Sequence, residues 1–236
     1  GELLKSLISE LESSNVFAFG IETTVLDPTS ARLVGVSFSA VAGTSWYVPV
    51  GHFDGDQLPL QVVIEGLRPV LESDNIPKIA HNANYSMTVL SRYGVNVKNL
   101  VFDTMIAAHL SGRKTINLNG LALELLGREM NSITDLLGSG RNKVAMAEVS
   151  IDEVAKHASE DVDVTLQLHD ILLKEITEKN GEDTLKSIEI PLIPVLVRMQ
   201  LNGIAIDSGI LEEMSRELGE RLSDIEVGMY SLVGHE

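Results

Sequence analysis

One short stretch near the start constrains this chain most. Val16-Phe17-Ala18-Phe19-Gly20-Ile21 is apolar without interruption and is closed by a carboxylate, Glu22. A run of that length, rich in aromatic and branched residues, reads as a buried strand. Residues alternate across a strand, so Val16, Ala18, Gly20 and Glu22 share one face while Phe17, Phe19 and Ile21 share the other. A charge at the end of such a strand is costly to bury unless it is paired or bound to metal.

The surrounding pattern supplies the rest of the layer. Leu3, Leu4, Leu7, Ile8 and Leu11 recur at helical spacing before the strand. After a turn at Leu26-Asp27-Pro28, residues 32–39 and 45–50 read as two further strands, which predicts a three-stranded antiparallel meander. Residues 51–60 read as loop, 61–72 as helix and Lys78-Ile79-Ala80 as a short strand. A helix from about Asn84 stops at Gly94. Val101-Phe102 is a brief apolar run, and Asp103 is placed to cap the helix that follows. Residues 118–126 are helical, whereas 131–148 read as a long loop. Ser150 and Glu153 form a capping box for a helix over about 150–180. Another helix from about 183 carries Pro191 and Pro194, which predict a bend. It ends before Gly203, Ile204-Ala205-Ile206 is expected as a strand-like exit, and Asp207 caps a last amphipathic helix. A meander followed by alternating strands and helices implies a mixed α/β sheet covered by helices.

Composition narrows the function. With no cysteine, disulfide scaffolds, thiolate zinc sites and cysteine nucleophiles are excluded. No apolar run approaches the roughly 18 residues of a membrane span, and no signal peptide is evident, so a cytoplasmic origin without membrane partners is expected. No glycine-rich phosphate loop of the nucleotide-binding types occurs. The net charge of −16 argues by itself against a phosphate-binding surface. A second cluster of interest is His157-Ala158-Ser159-Glu160-Asp161, where His157 and Asp161 are four apart and project from one helical face. Alone, these read as solvated surface charges with an incidental histidine.

Together the motifs carry a resemblance. Residues 16–28, containing Gly20-Ile21-Glu22-Thr23-Thr24-Val25-Leu26, resemble the first motif of the 3′–5′ exonuclease domain in family A DNA polymerases of the bacterial DNA polymerase I type. His81-Asn82-Ala83-Asn84-Tyr85-Ser86 is similar to the second motif, Phe102-Asp103-Thr104-Met105 to a segment after it, and residues 157–168 to the third. Residues 188–196 and Asn202-Gly203-Ile204 look like the crossing into a polymerase thumb. The resemblance implies a ribonuclease H-like fold with an exonuclease-like domain over 1–185 and the start of a thumb over 186–236. It also implies a fragment of a replication or repair polymerase, with fingers and palm elsewhere in the parent chain, at the bacterial nucleoid through that parent.

In such domains two divalent metals about 4 Å apart generate the nucleophile and relieve charge at phosphorus. Hard cations such as Mg²⁺ or Mn²⁺ need carboxylate oxygens for this. The family's ligands are two acids on the first strand, one in the second motif and one in the third, with a tyrosine orienting the attacking water. Carried over by position, the bridging acid is Gly20, the second-motif acid is Ser86 and the tyrosine is His157. Only Glu22 and Asp161 remain, so no tight metal site is expected and metal-dependent proofreading is expected to be lost, leaving a structural domain. The alternative is a weakly active Mg- or Mn-dependent exonuclease releasing nucleoside monophosphates from DNA 3′ ends. Compensation would have to come from Asp103, Glu160 or Asp163, or from the His157 imidazole on a softer metal such as Mn²⁺ or Zn²⁺.

The resemblance places Leu26, His81, Asn82 and Tyr85 along the path of a single strand. Each has a plain structural alternative: Leu26 as turn packing, His81 and Asn82 as strand-end polar groups, Tyr85 as core. Where the family often has a stacking aromatic, Ile133-Thr134 is followed by Asp135, which removes stacking and adds repulsion. Weak DNA binding by the isolated chain is therefore expected, with the polymerase domain of the parent as the main partner.

Overall fold

The computed structural model describes residues 1–138, 140 and 143–234. Its elements follow in chain order as α1 (Glu2–Ser13), β1 (Phe17–Thr23), β2 (Leu33–Val41), β3 (Thr44–Pro49), α2 (Leu60–Leu71), β4 (Lys78–Ala80), α3 (Ala83–Arg92) and β5 (Leu100–Asp103). Then come α4 (Thr104–Leu110), α5 (Leu118–Leu121), α6 (Ile133–Leu137), α7 (Ile151–Glu178), α8 (Glu182–Thr184), α9 (Ile190–Asn202) and α10 (Ser208–Val233). The strands form one mixed sheet in the order β3-β2-β1-β4-β5. β1 pairs antiparallel with β2 and parallel with β4, so the expected meander opens the sheet and parallel crossovers finish it.

β1 is central because both of its faces are apolar. Phe17 packs edge-on against Phe38, with ring centroids 5.9 Å apart. On the opposite face, a Cβ built at Gly20 would lie 3.1 Å from Val162 Cγ1 of α7. The face carrying Ala18, Gly20 and Glu22 is thus the one that α7 crosses, and the small residues let the helix approach closely. α7 buries Val154, Ala158, Val162, Leu168 and Leu172 along one stripe. Its N-terminus has the expected cap, with the Ser150 hydroxyl accepting from the Glu153 amide.

The chain divides into two compact units, Gly1–Leu201 and Asn202–Glu236. In the first, α9 follows a wide π turn over Leu185–Glu189. Pro191 has no N–H for the Ser187 carbonyl, so the regular helical bond is missing where the ladder widens. The second unit carries α10, whose amide N–H groups at Gly209 and Ile210 donate to Asp207 Oδ1.

Two expectations fail. Residues 204–206 form no strand, because no neighbouring strand offers them hydrogen bonds among the described residues. The described part of the segment 131–148, which leaves out 139, 141 and 142, is not simply a loop: it holds α6, started by a reciprocal cap, and a 3₁₀ turn at Met146–Glu148, where the Ala145 amide donates to Glu148 Oε2. Ser132 and Asp135 close the first of these, a local signal that hydrophobic periodicity misses over so few residues.

Candidate functional site

Three elements converge on one place in the first unit. β1 delivers Gly20 and Glu22, the start of α3 delivers Tyr85 and Ser86, and the second and third turns of α7 deliver His157 and Asp161. Gly20, Glu22, Ser86 and Asp161 line one cavity of about 200 Å³. The four positions matched to the family's metal-binding acids are therefore brought together, and two of them carry no acid.

What fills position 20 is specific. Gly20 lies opposite Ser37 across the antiparallel pair β1–β2. A Cβ at position 20 would sit 2.9 Å from Ser37 Oγ as well as against Val162. The space where a carboxylate stem would start is thus partly closed by a hydroxyl. Sequence reasoning missed Ser37, although the meander register puts a β2 residue directly across from Gly20.

Glu22 and Asp161 are held in an environment hostile to charge. Burial lifts the Glu22 carboxyl to about 8, and the negative charge of Asp161 adds to the rise. Asp161 is lifted to about 6 by burial, a rise that neighbouring His157 opposes. His157 Nε2 lies 3.8 Å from Asp161 Oδ2, an ion-pair distance rather than a hydrogen bond. Among the described residues, buried atoms His157 Nδ1 and Asp161 Oδ1 have no hydrogen-bond partner. Glu22, His157 and Asp161 each offer a ligand atom within 4.8 Å of the others.

The other acids are engaged elsewhere. Asp103 receives the amides of Ala83 at 2.6 Å, Met105 at 2.8 Å, Ile106 at 3.2 Å and Asn82 at 3.3 Å, so it starts both α3 and α4. Glu160 and Asp163 both pair with Arg128, at 3.1 and 2.9 Å. Asp163 also accepts from the Gly43 amide, pinning the β2–β3 turn to α7. None of the three faces the cavity. The residues present thus do not fit a pair of divalent ions: the bridging ligand and the second-motif ligand are missing, and no nearby acid is free to replace them.

The residues matched to strand binding surround the same place. His81, Asn82 and Tyr85 line the small cavity. Burial pushes the His81 imidazole down to about 4, so it is neutral at pH 7, and its Nδ1 lies 2.8 Å from Thr104 Oγ1. Asn82 takes a left-handed conformation, φ 60°, at the mouth of α3. The Tyr85 hydroxyl donates to the Val25 carbonyl at 2.7 Å and so secures the turn after β1. Leu26 at the tip of that turn is 84% exposed, which removes turn packing as its role. It borders a larger cavity of about 930 Å³, which also reaches Glu22, His157, Asp161, Ile133 and Lys143. Asp135 does not line that cavity. Its carboxylate is turned back onto Ser132.

Comparison with known proteins agrees with this geometry. A family model described as 3′–5′ exonuclease matches residues 1–177. DNA polymerase I of Chloroflexus aurantiacus is 37% identical over 98% of this chain and 25% of its own length. That of Pseudomonas aeruginosa is 33% identical over 97% of this chain and 26% of its own. The chain thus spans about a quarter of the length of these relatives. Among solved structures, the POL domain of Pol1 from M. smegmatis, in complex with DNA primer-template and dNTP, superimposes with TM-score 0.73 at 23% identity, covering 100% of this chain and 37% of that one. Brucella melitensis NrnC with bound Mg²⁺ gives TM-score 0.63 at 19% identity over 81% of this chain and 87% of that one. Both likenesses establish the ribonuclease H-like fold.

Proposed function

We propose, from the premise that this chain belongs to the 3′–5′ exonuclease family of DNA polymerase I, that it is a member in which metal-dependent hydrolysis has been lost and the domain serves as a structural part of a polymerase. One observation carries this reading: the cavity where four carboxylates would converge contains Gly20 and Ser86 beside Glu22 and Asp161. Two-metal hydrolysis needs one ion to activate water and another to stabilise the leaving oxygen. Loss of the ligand shared by both ions and of the second-motif ligand removes transition-state contacts at each, and each order of magnitude in rate corresponds to about 1.4 kcal/mol. The engagement of Glu160, Asp163 and Asp103 with their own partners supports the absence of substitutes.

The chain's own residues retain framework roles. Asp103 anchors two helix starts, Tyr85 ties α3 to the turn after β1, and α7 seals the sheet. We further propose that residues 186–236 join this domain to a polymerase thumb in the same parent chain, and that the parent acts in DNA replication or repair in the cytoplasm. The sizes of the relatives, of which this chain matches about a quarter, support that placement. With a net charge of −16 and Asp135 in place of a stacking aromatic, the isolated chain should bind single strands weakly. No helix among the described residues is long and apolar enough to cross a membrane.

The test is a restoration series. Gly20→Asp, Ser86→Asp and His157→Tyr are combined, with Ser37→Ala to open position 20, and 3′-labelled single-stranded DNA is offered with Mg²⁺ or Mn²⁺. Release of nucleoside monophosphate by the restored protein alone is the expected result. Release by the unmodified protein that disappears in Asp161→Ala would overturn the proposal and favour a weakly active exonuclease.

A further inference from the structure

The larger cavity, which reaches Glu22 and Asp161, has Val144, Ala145 and Met146 as part of its wall. This wall stands apart from the main core. Met146 and Ala147 are buried, but they form a small apolar cluster with Val34 and Val154, and Tyr47 and Val149 pack at its side. A segment with so few buried apolar partners opens at less cost than the strands it leans on.

What holds the wall is polar. The His52 ring, 6% exposed, lies between Tyr47 of β3 and Val149, with Nε2 2.8 Å from the Tyr47 hydroxyl and Nδ1 3.0 Å from the Val149 carbonyl. These partners fix the tautomer. A carbonyl only accepts, so Nδ1 carries the proton and Nε2 is left to accept from the phenol. Burial, and then the charge of Glu22, raise the Tyr47 phenol, which keeps it a donor at neutral pH. Gln57 steadies His52 by accepting from its amide at 3.1 Å and donating to its carbonyl at 2.7 Å, and the Phe53 amide donates to the Ala147 carbonyl at 2.9 Å. On its other side the Tyr47 ring lies over Gly35, where a Cβ would collide with it, and Gly35 is the cross-strand partner of Glu22. A chain of contacts thus runs from the strand pair carrying Glu22 to the cavity wall.

We propose that Tyr47 and His52 form a latch: while their hydrogen bond stands, the strap Val144–Val149 is held against the sheet, and when it breaks the strap lifts and the cavity beside Glu22 and Asp161 widens, with the sheet unchanged. This rests neither on the loss of hydrolysis nor on a bound ion.

Two methionines report on strap and core separately. Met146, in the strap, is 2% exposed, and Met87, in the main core, is 5% exposed. Hydrogen peroxide converts an accessible thioether to its sulfoxide, and peptide mass spectrometry gives the rate at each position. Tyr47→Phe, which keeps the ring over Gly35 and removes only the hydroxyl, and His52→Leu should each speed oxidation of Met146 by about fivefold or more, with Met87 within about twofold of the unmodified protein. Hydrogen exchange at the Phe53 and Val149 amides should rise in parallel while the β2 amides stay protected. Circular dichroism checks that each variant is folded, and Tyr47→Phe decides the matter if His52→Leu is not. A smaller increase at Met146 in a folded variant, or a rise at Met87 beyond that limit, would overturn the latch.

Discussion

Asp103 and Glu22 are buried carboxylates in the same compact unit, Glu22 beside the half-buried Asp161; Asp103 is held by four backbone amides and the other two by almost nothing. Asp103 closes the starts of two helices, so its charge is solvated by the protein itself. Burial lifts the Asp103 carboxyl too, against the pull of those four amides, whereas no backbone amide opposes the rise at Glu22, to about 8, or at Asp161, to about 6. An acid that builds a fold finds its partners within the chain. An acid kept for a site faces a cavity and leaves lone pairs unused.

Substitution should separate the two. Asp103→Ala strands buried amides at two helix starts and should cost about 3–4 kcal/mol in chemical denaturation. Asp161→Ala, measured in chelator, should change stability by less than about 1 kcal/mol, because it removes an uncompensated charge rather than a satisfied one. Equal losses at the two positions would erase the distinction.

The pH dependence sharpens it. Glu22 has a folded-state value of about 8 against an ordinary 4.5, so the folded protein binds more protons between these limits and loses stability as pH rises through that window. Glu22→Gln should therefore stabilise the chelator-treated protein by about 3 kcal/mol at pH 8 and leave it unchanged near pH 4.5. Urea midpoints across the range would check this.

Restoring a side chain at position 20 tests the close packing under α7. Gly20→Asp should cost about 2 kcal/mol through overpacking against Ser37 and Val162, with roughly half recovered by Ser37→Ala. Thermal melts of Gly20→Asp, Ser37→Ala and the double variant measure both steps.

The smallest effect lies at His81. Its folded-state value of about 4 against the ordinary 6.5 means that the unfolded chain binds more protons between these limits, so this residue makes stability rise with pH there. His81→Gln should remove about 1 kcal/mol of that rise between pH 4.5 and 6.5, a figure reduced because the ring is only half-buried. Differences between variant and parent midpoints isolate it from the opposite trend at Glu22.

The fold was legible wherever a pattern was local and repeated. The apolar run at 16–21 became the central strand Phe17–Thr23, the meander followed from three such runs, and Asp103, Ser150 and Asp207 marked helix starts. The second job of Asp103 at α3 was not legible, because Ala83 approaches it only through the pairing of β4 with β5. The helical turns inside 131–148 were obscured by their brevity, and Ile204-Ala205-Ile206 imitated a strand that has no partner. The meeting of Gly20, Glu22, Ser86 and Asp161 followed from the resemblance rather than from spacing. The role of Ser37 and the proximity of His157 to Glu22 depend on side-chain approach across separate elements, which no single-chain periodicity encodes.

The proposed loss of metal-driven hydrolysis is most directly measured with protein in excess over 3′-end-labelled single-stranded DNA, followed over hours with Mn²⁺. The rate of label release by the unmodified protein is predicted to equal that of Asp161→Ala. A rate at least tenfold above that of the variant, in the same preparation, would contradict it.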